Sequence, residues 1–313
     1  MKKANTVEKI LALKKEKNAI ILAHFYQIPE IQDIADYIGD SLGLSQQAKK
    51  SEADVIVFCG VHFMAETAKI LSPQKRVFIP DMEAGCSLVE LCPAKDFIEF
   101  KKKYPDHKVI TYINCSAKIK AVSDVICTSS NAVGIVESFE KNQKLIFAPD
   151  KNLGAYINSL TNRNMILWDA TCEVHDILKI EKVLELKNQH PDAKLISHPE
   201  CKGQILEISD FIGSTSALLK FTREDKNNKY IVATETGIIH QMKKYSPKKE
   251  FIIVPSEENC FCNDCPYMKL NTIDKVYKCL SEESNEIILD KNLIIKARTP
   301  IEKMLDISET LGL

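Results

Sequence analysis

The chain contains one pattern three times, and this repeat limits its fold more than any other feature. In each copy an apolar stretch ends in a histidine or tyrosine, and a hydroxyl residue follows 17 positions later: His24 and Ser41, Tyr112 and Ser129, His198 and Thr215. Successive copies lie 88 and 86 residues apart, and each also carries an aspartate, at Asp36, Asp124 and Asp210. Three copies of one unit predict three similar folding units around a pseudo-threefold axis.

Helical and strand patterns alternate within each copy. The strands are rich in Val, Ile and Phe and lack polar alternation, which is typical of parallel sheets covered by helices on both faces. We therefore predict an α/β fold with three homologous α/β/α domains, over residues 1–106, 107–191 and 192–286. The tail, 287–313, is expected to form a strand at Ile287–Leu289 and a helix over Pro300–Thr310, and to pack on the first domain.

Composition argues against several classes of function. The charges of the 42 basic and 43 acidic side chains nearly cancel. The sequence has no stripe of basic residues, so nucleic acid is not expected as a partner. No apolar run approaches the ~20 residues that span a membrane, and without a signal peptide the protein is expected in the cytoplasm. Its eleven cysteines are then expected to be reduced. Those inside strands, such as Cys59 and Cys127, are expected to be buried hydrophobic residues, which leaves metal binding or catalysis to cysteines on loops.

The repeated polar residues follow predicted strands, where parallel sheets bind their ligands. Ser41, Ser129 and Thr215 each precede a helical run, so we expect them at N-caps, where free N–H groups hold phosphate or carboxylate. Capping alone is the alternative interpretation.

His24, Tyr112 and His198 each have a polar residue two positions later, on the same face of an extended chain: Tyr26, Asn114 and Glu200. Together these side chains form a credible acid and base set. The other histidines have no threefold counterpart and are expected to be ordinary surface or helix residues: His62, His107, His175, His190 and His240.

Each unit also has cysteine shortly after its last strand: Cys86, Cys172, and then Cys260, Cys262 and Cys265. One cysteine per unit would meet near the axis. Three thiolates suit structural zinc with a fourth ligand, or an iron–sulfur cubane with one iron open to substrate. Spacing from the last strand favours Cys260 as the third ligand, and the pair Cys262 and Cys265 could instead form half a zinc site or a redox pair.

Several segments in combination resemble the quinolinate synthase family and cover nearly the whole chain: AHFYQIPEIQDIADYIGDS from Ala23, GVHFMAETAKIL from Gly60, DMEAGCSL from Asp81, TYIN from Thr111, SHPEC from Ser197, SDFIGSTSAL from Ser209, TETGIIHQM from Thr234, and CNDCPYMKLNT from Cys262. The resemblance implies three α/β domains around a central [4Fe–4S] cluster. Its ligands by motif are Cys86, Cys172 and Cys265, which differs from the spacing argument for Cys260.

The resemblance also implies a reaction, the condensation of iminosuccinate with dihydroxyacetone phosphate to quinolinate, as a step of NAD biosynthesis. It implies substrate contacts at the residues that the repeat selects: His24, Ser41, Tyr112, Asn114, Ser129, His198, Glu200 and Thr215. Our role hypotheses make Tyr26, Glu200, His198 and Tyr112 catalytic, with Glu200 and Tyr26 shuttling protons and the pKa of Glu200 raised by burial. The hydroxyl residues would hold phosphate and carboxylates.

Two other classes of function remain open from the sequence. A zinc- or cluster-stabilised binding module would carry the same repeat without a labile iron. A redox protein would pass electrons through a cluster with four protein ligands. A transient contact with the enzyme that supplies iminosuccinate is a further hypothesis.

Overall fold

The computed structural model describes residues 2–256 and 263–313, with side chains from residue 5 onward. Within these residues it contains three four-stranded sheets, and every strand pair in them is parallel. Helices connect the strands throughout, so the predicted α/β class with three parallel sheets is confirmed.

Helices and strands alternate along the chain in the same order in each unit. The first unit comprises α1 (Lys2–Glu16), β1 (Ala19–His24), α2 (Pro29–Ile34), β2 (Tyr37–Gly39), α3 (Ser41–Lys50), β3 (Val55–Cys59), α4 (His62–Leu71), β4 (Arg76–Phe78) and α5 (Ser87–Glu90). The second comprises α6 (Ala94–Lys102), β5 (Lys108–Tyr112), α7 (Ala117–Lys120), β6 (Val125–Cys127), α8 (Ala132–Glu137), β7 (Leu145–Ala148), α9 (Lys151–Thr161), β8 (Ile166–Leu167) and α10 (Glu173–Asp176). The third comprises α11 (Ile180–Gln189), β9 (Lys194–Ser197), α12 (Gly203–Glu207), β10 (Phe211–Ile212), α13 (Thr215–Glu224), β11 (Lys229–Ala233), α14 (Ile238–Tyr245) and β12 (Glu250–Ile253).

The strand order is the same in all three sheets: β2-β1-β3-β4, β6-β5-β7-β8 and β10-β9-β11-β12. In each sheet the first strand of the unit therefore lies between the second and the third. The connection after the first strand leads to one side of the sheet and the connection after the third leads to the other, and ligands of open α/β sheets bind at such a point, beyond the carboxyl ends of these strands. The ends of β1, β5 and β9 are thus the expected ligand positions.

The repeated aspartates perform one structural task in all three units. The side chains of Asp36, Asp124 and Asp210 accept a hydrogen bond from a backbone N–H of the unit's first strand, at 2.7, 2.8 and 2.7 Å. Each aspartate also donates its own N–H to the carbonyl of that same strand residue: Ile21, Val109 and Leu195. The aspartate thereby fixes the turn that leads to the second strand, which explains its recurrence at one position of the repeat.

Alternate residues of the strands enter different cores. Leu22, Ile110 and Ile196 belong to one continuous core shared by all three units. Their neighbours Ile21, Val109 and Leu195 lie in three separate cores, one per unit. Each sheet is therefore buried on both faces, as the apolar strands predict. Cys59 and Cys127 are fully buried within β3 and β6, which confirms their assignment as core residues.

Two helices follow the third sheet and return to earlier units. Helix α15 (Ile273–Glu282) packs on α1 and β3, and α16 (Lys291–Thr310) packs on α4, α7, β6 and α8. The predicted strand at Ile287–Leu289 is wrong, since only a single bridge between Phe78 and Glu286 forms there. The predicted final helix begins earlier, at Lys291, and includes Pro300. Among the described helices, none has the length and apolar character needed to cross a membrane.

Candidate functional site

One cavity gathers polar side chains from all three units. Its lining includes all twelve site residues that the repeat and the family motifs select together: His24, Tyr26, Ser41, Cys86, Tyr112, Asn114, Ser129, Cys172, His198, Glu200, Thr215 and Cys265. Residues as far apart in sequence as His24 and Cys265 therefore line the same cavity. Their convergence follows from the equivalent positions they occupy in three equivalent sheets.

The strand-end residues lie where the repeat predicts. His24 and Tyr112 end β1 and β5, and His198 directly follows β9. In two units the imidazole Nδ1 accepts the backbone N–H two residues later: His24 from Tyr26 at 3.2 Å, and His198 from Glu200 at 3.4 Å. Burial lowers the pKa of His24 to about 4 and that of His198 to about 3. Both rings are therefore neutral near pH 7, and their Nε2 atoms are left for the cavity side.

The hydroxyl residues line the cavity, but the prediction that they are N-caps is wrong. The cap of α3 is Asp40, whose side chain accepts the Gly43 N–H, and Ser41 is the first helical residue. The cap of α13 is Ser214, whose side chain accepts the Ala217 N–H, and Thr215 comes next.

In the second unit Ser129 lies in the turn before α8, for which Asn131 is the N-cap. The Ser129 hydroxyl is 3.3 Å from His198 Nε2. None of the three hydroxyls caps a helix, so all three remain available to a ligand.

Glu200 occupies the centre of a buried polar network. Its Oε2 lies 2.7 Å from His175 Nδ1 and 3.5 Å from His198 Nδ1, and the Tyr112 phenol interacts with the same carboxyl. Burial raises the pKa of this carboxyl, but attraction from His198 and His175 outweighs burial and lowers the pKa to about 2. The expectation of a raised pKa is therefore wrong, because the carboxylate has partners that favour its ionised form.

His175 is the residue that the sequence argument missed. It was expected to be an ordinary histidine, yet it is buried, lines the cavity and stacks on His198 with ring centroids 4.7 Å apart. Its Nδ1 is also 3.3 Å from the Cys172 sulfur. It has no counterpart in the other units, so the repeat could not reveal it. The available signal was its position one helical turn after a candidate ligand, Cys172.

The three candidate metal-binding cysteines each precede a short helical turn. Cys86 and Cys172 are the N-caps of α5 and α10, and Cys265 lies three residues before a 3-10 turn at Met268–Leu270. Burial raises the pKa of all three thiols, and the pKa of Cys265 reaches about 12. Thiolates at this cavity therefore need a nearby cation to form. Cys260 and Cys262 lie outside the described residues.

The spacing of the sulfurs bears on what they could bind. Among the described residues, the one group of metal-binding side chains whose donor atoms all lie within 4.8 Å of one another is Cys172, His175 and Glu200. The three cysteines do not meet that limit. Two sulfurs on a single zinc, each at ~2.3 Å, are at most ~4.6 Å apart. At least one pair of the cysteine sulfurs, as placed, is therefore too far apart to share a single zinc ion.

Three buried oxygen atoms in the cavity lining lack a hydrogen-bond partner: Asn114 Oδ1, Thr128 Oγ1 and Glu200 Oε1. An unpaired buried acceptor is costly, so these oxygens need a donor or a cation from a bound group. No lysine or arginine is among the described residues of the lining. This donor set, with thiols on one side and orphaned oxygens on the other, fits a metal-containing centre together with a polar substrate.

A buried ion pair holds the Cys265 segment in place. The Glu235 carboxylate is 2.7 Å from Lys269 Nζ and accepts the Cys265 N–H at 3.1 Å. Lys269 also donates to the carbonyl of Tyr26 at 2.8 Å. The third ligand candidate is therefore attached both to the end of β11 and to the loop after β1.

Comparison with known proteins gives a consistent result. The family model described as "Quinolinate synthetase A protein" matches residues 8–306. Proteins named quinolinate synthase from Microcystis aeruginosa and Synechocystis sp. are 57% and 58% identical over 299 residues, which cover 96% of this chain and 94% of each relative. The protein of that name from Gloeothece citriformis is 55% identical over 297 residues, covering 95% of this chain and 92% of its own.

Proposed function

Since the chain belongs to the quinolinate synthetase A family, we propose that it condenses iminosuccinate with dihydroxyacetone phosphate to form quinolinate, phosphate and two waters. Membership of this family makes it an enzyme of NAD biosynthesis. The main support for the proposed reaction is one cavity that collects polar and thiol side chains from the ends of three sheets. The polar groups along its lining suit small polar substrates.

We further propose that Cys86, Cys172 and Cys265 hold a [4Fe–4S] cluster. Support comes from the convergence of the three thiols on one cavity, from a pair of sulfurs too far apart to share one zinc ion, and from the orphaned oxygens of Glu200 and Asn114. With three cysteines, such a cluster supplies one open iron, which can act as a Lewis acid on substrate oxygen and help to expel water.

The anionic groups of the substrates would be held without lysine or arginine. Ser41 and Thr215 are the first residues of two ten-residue helices, so their hydroxyls lie beside the partial positive charge of a helix N-terminus. Ser129 would supply the third hydroxyl. The neutral rings of His24 and His198 can add Nε2–H donors, since the Nδ1 of each accepts a backbone N–H.

Proton transfer would centre on Glu200. The lowered pKa keeps this carboxylate ionised near pH 7, which is the form that can accept a proton. The phenols of Tyr26 and Tyr112 face the same network, and burial raises the pKa of both, which keeps them protonated near pH 7. We therefore propose that Glu200 removes protons that the condensation releases, and that Tyr112 orients the carboxylate for that task.

The test is an anaerobic assay for quinolinate from the two substrates, with iron, sulfide and zinc measured on the same preparation. We expect about four irons per chain and quinolinate formation, both lost in Cys172→Ser. One zinc per chain with no iron would favour a structural metal at Cys172, His175 and Glu200. Iron that cycles electrons without forming quinolinate would favour the redox interpretation, and either result would overturn the proposal.

A further inference from the structure

A buried residue recurs in each unit at one position of the short helix that follows the first strand. Gln32 lies in α2, Lys120 in α7 and Leu206 in α12, and all three are buried. Each comes eight positions after the strand-end residue of its unit: His24, Tyr112 and His198. The third unit has an apolar side chain at this core position, whereas the first two have hydrogen-bond donors.

Lys120 holds the backbone on both sides of Asn114. It has no exposed surface, and its Nζ donates to the carbonyl oxygen of Ile113 at 3.0 Å and to that of Cys115. These two residues flank Asn114, whose side chain lines the cavity. The ammonium also lies 5.2 Å from the centre of the Phe63 ring. A buried ammonium is stable only where acceptors surround it, so Lys120 and the two carbonyls hold each other in place.

Gln32 makes the same pair of contacts in the first unit. Its Nε2 is 3.0 Å from the carbonyl oxygen of Phe25 and 2.8 Å from that of Gln27. These two residues flank Tyr26, which lines the cavity as Asn114 does. Two different residue types therefore make equivalent contacts at equivalent positions. What the position requires in these units is a buried donor that reaches both carbonyls.

The third unit holds its loop by other means. Leu206 cannot donate a hydrogen bond, and it belongs to the apolar core of its unit. The carbonyl of Glu200 accepts a hydrogen bond from the Asn152 side chain of the second unit, at 3.2 Å. The buried donor is therefore a feature of the first two units.

We propose that Lys120 is a positioning residue, which fixes the peptide groups on either side of Asn114 and so aims the Asn114 amide at the substrate. This inference rests on the proposed function and deepens it, because Asn114 Oδ1 is a buried acceptor without a hydrogen-bond partner among the described residues. Its partner in the complex is then a hydroxyl or N–H group of the substrate. Without the ammonium the two carbonyls can turn, and the amide of Asn114 moves with them.

Two substitutions at position 120 separate the donor from the bulk of the side chain. Lys120→Met keeps an unbranched side chain and removes the ammonium. Lys120→Gln keeps an N–H donor, and glutamine already makes the equivalent contacts at position 32. Lys75→Met is the matched control, because Lys75 is 7% exposed and donates to the backbone carbonyl of Ser51, away from the cavity lining.

The first experiment measures kcat/KM in the anaerobic cluster-loaded enzyme, for each variant alone and combined with Asn114→Ala. We expect Lys120→Met to lower kcat/KM roughly 10- to 100-fold, Lys120→Gln to stay within about 5-fold of wild type, and Lys75→Met within about 3-fold. In the Asn114→Ala background Lys120→Met should cost less than about 3-fold, because Lys120 acts through Asn114.

The same loss from Lys120→Met with and without the Asn114 side chain would overturn the inference, since the lysine would then act on stability or on another residue. Should Lys120→Met fail to fold, Lys120→Gln decides. Activity within about 5-fold of wild type supports the inference, and a folded Lys120→Gln as impaired as Asn114→Ala overturns it.

The second experiment needs no cluster and separates this inference from the proposed function. Amide hydrogen exchange is measured on the iron-free protein by mass spectrometry. Residues 113–117 should exchange at least about 10-fold faster in Lys120→Met than in wild type, and at the wild-type rate in Lys75→Met. Unchanged exchange over 113–117 in Lys120→Met would overturn the inference. A wild type that makes no quinolinate would overturn the proposed function, and the exchange rates would still decide whether Lys120 holds the Asn114 segment.

Discussion

Two adjacent residues at the start of α13 should respond differently to loss of the hydroxyl, one through stability and the other through activity. Ser214 caps the helix, with its oxygen 3.3 Å from the Ala217 N–H, whereas Thr215 lines the cavity. Both residues are 3% exposed, so burial does not distinguish them. Ser214→Ala removes a cap, which costs on the order of 1 kcal/mol and lowers the unfolding midpoint by ~2 °C in a chain of this size.

Thr215→Val keeps the volume of the side chain and removes no capping bond, so the unfolding midpoint should change by less than ~1 °C. If its hydroxyl binds a charged group of the substrate, that hydrogen bond contributes about 1.5–3 kcal/mol. The corresponding loss in kcat/KM is roughly 10- to 100-fold. Ser214→Ala should keep its kcat/KM within about 3-fold.

The assay pairs differential scanning calorimetry with anaerobic quinolinate formation on the same cluster-loaded samples. We expect Ser214→Ala to lose stability and keep its activity, and Thr215→Val to lose activity and keep its stability. If Thr215→Val lost as much stability as Ser214→Ala and kept full kcat/KM, the hydroxyl would be structural and the ligand role wrong.

Three further predictions address the cluster, the base and the pH response. Replacing any of the three ligand candidates by serine (Cys86, Cys172, Cys265) should abolish the visible iron–sulfur absorption. The buried controls Cys201→Ser and Cys279→Ser should keep this absorption. If Cys265→Ser kept it, the assignment of Cys265 as a ligand would be wrong. Glu200→Gln should fold and load iron but lose turnover by roughly 100-fold or more, and near-normal kcat would exclude the base role. Burial lowers the pKa of His24 from 6.5 to about 4, so between these pH values the unfolded chain binds more protons than the folded one. The free energy of unfolding should therefore fall by ~3 kcal/mol as the pH drops from 6.5 to 4, and a urea titration of His24→Asn that declines just as steeply would refute this.

The repeat made much of the fold predictable. A residue recurs at a fixed offset when it performs the same local task in each unit, as Asp36, Asp124 and Asp210 do by fixing the turn after the first strand. Strand periodicity likewise indicated that each sheet is buried on both faces, and the three cores confirm it. The strand-end and hydroxyl residues selected by this repeat all line one cavity, although their catalytic and binding roles stay predictions.

Features that depend on a single residue were harder to predict from the sequence. The helix caps lie one residue before the predicted hydroxyls in α3 and α13, because side-chain direction at a helix start is set by backbone geometry that a pattern of residue types does not specify. In place of the predicted strand at Ile287–Leu289, the chain forms one antiparallel bridge, from Glu286 to Phe78 of the edge strand β4, and then leaves the sheet.

The sequence by itself determined the α/β class, the three parallel sheets and the residues at their carboxyl ends, because these depend on periodicity and on local turn chemistry. Only the tertiary structure decided the contacts between units. His175 reaches Glu200, and Thr234 reaches both Tyr26 and His175, with no counterpart elsewhere in the repeat. Such contacts depend on how the three sheets pack together. The lowered pKa of Glu200 depends on the same packing, because His175 and His198 come from different units. Similar local sequences produce similar units, whereas the packing of unlike surfaces between those units makes the site asymmetric.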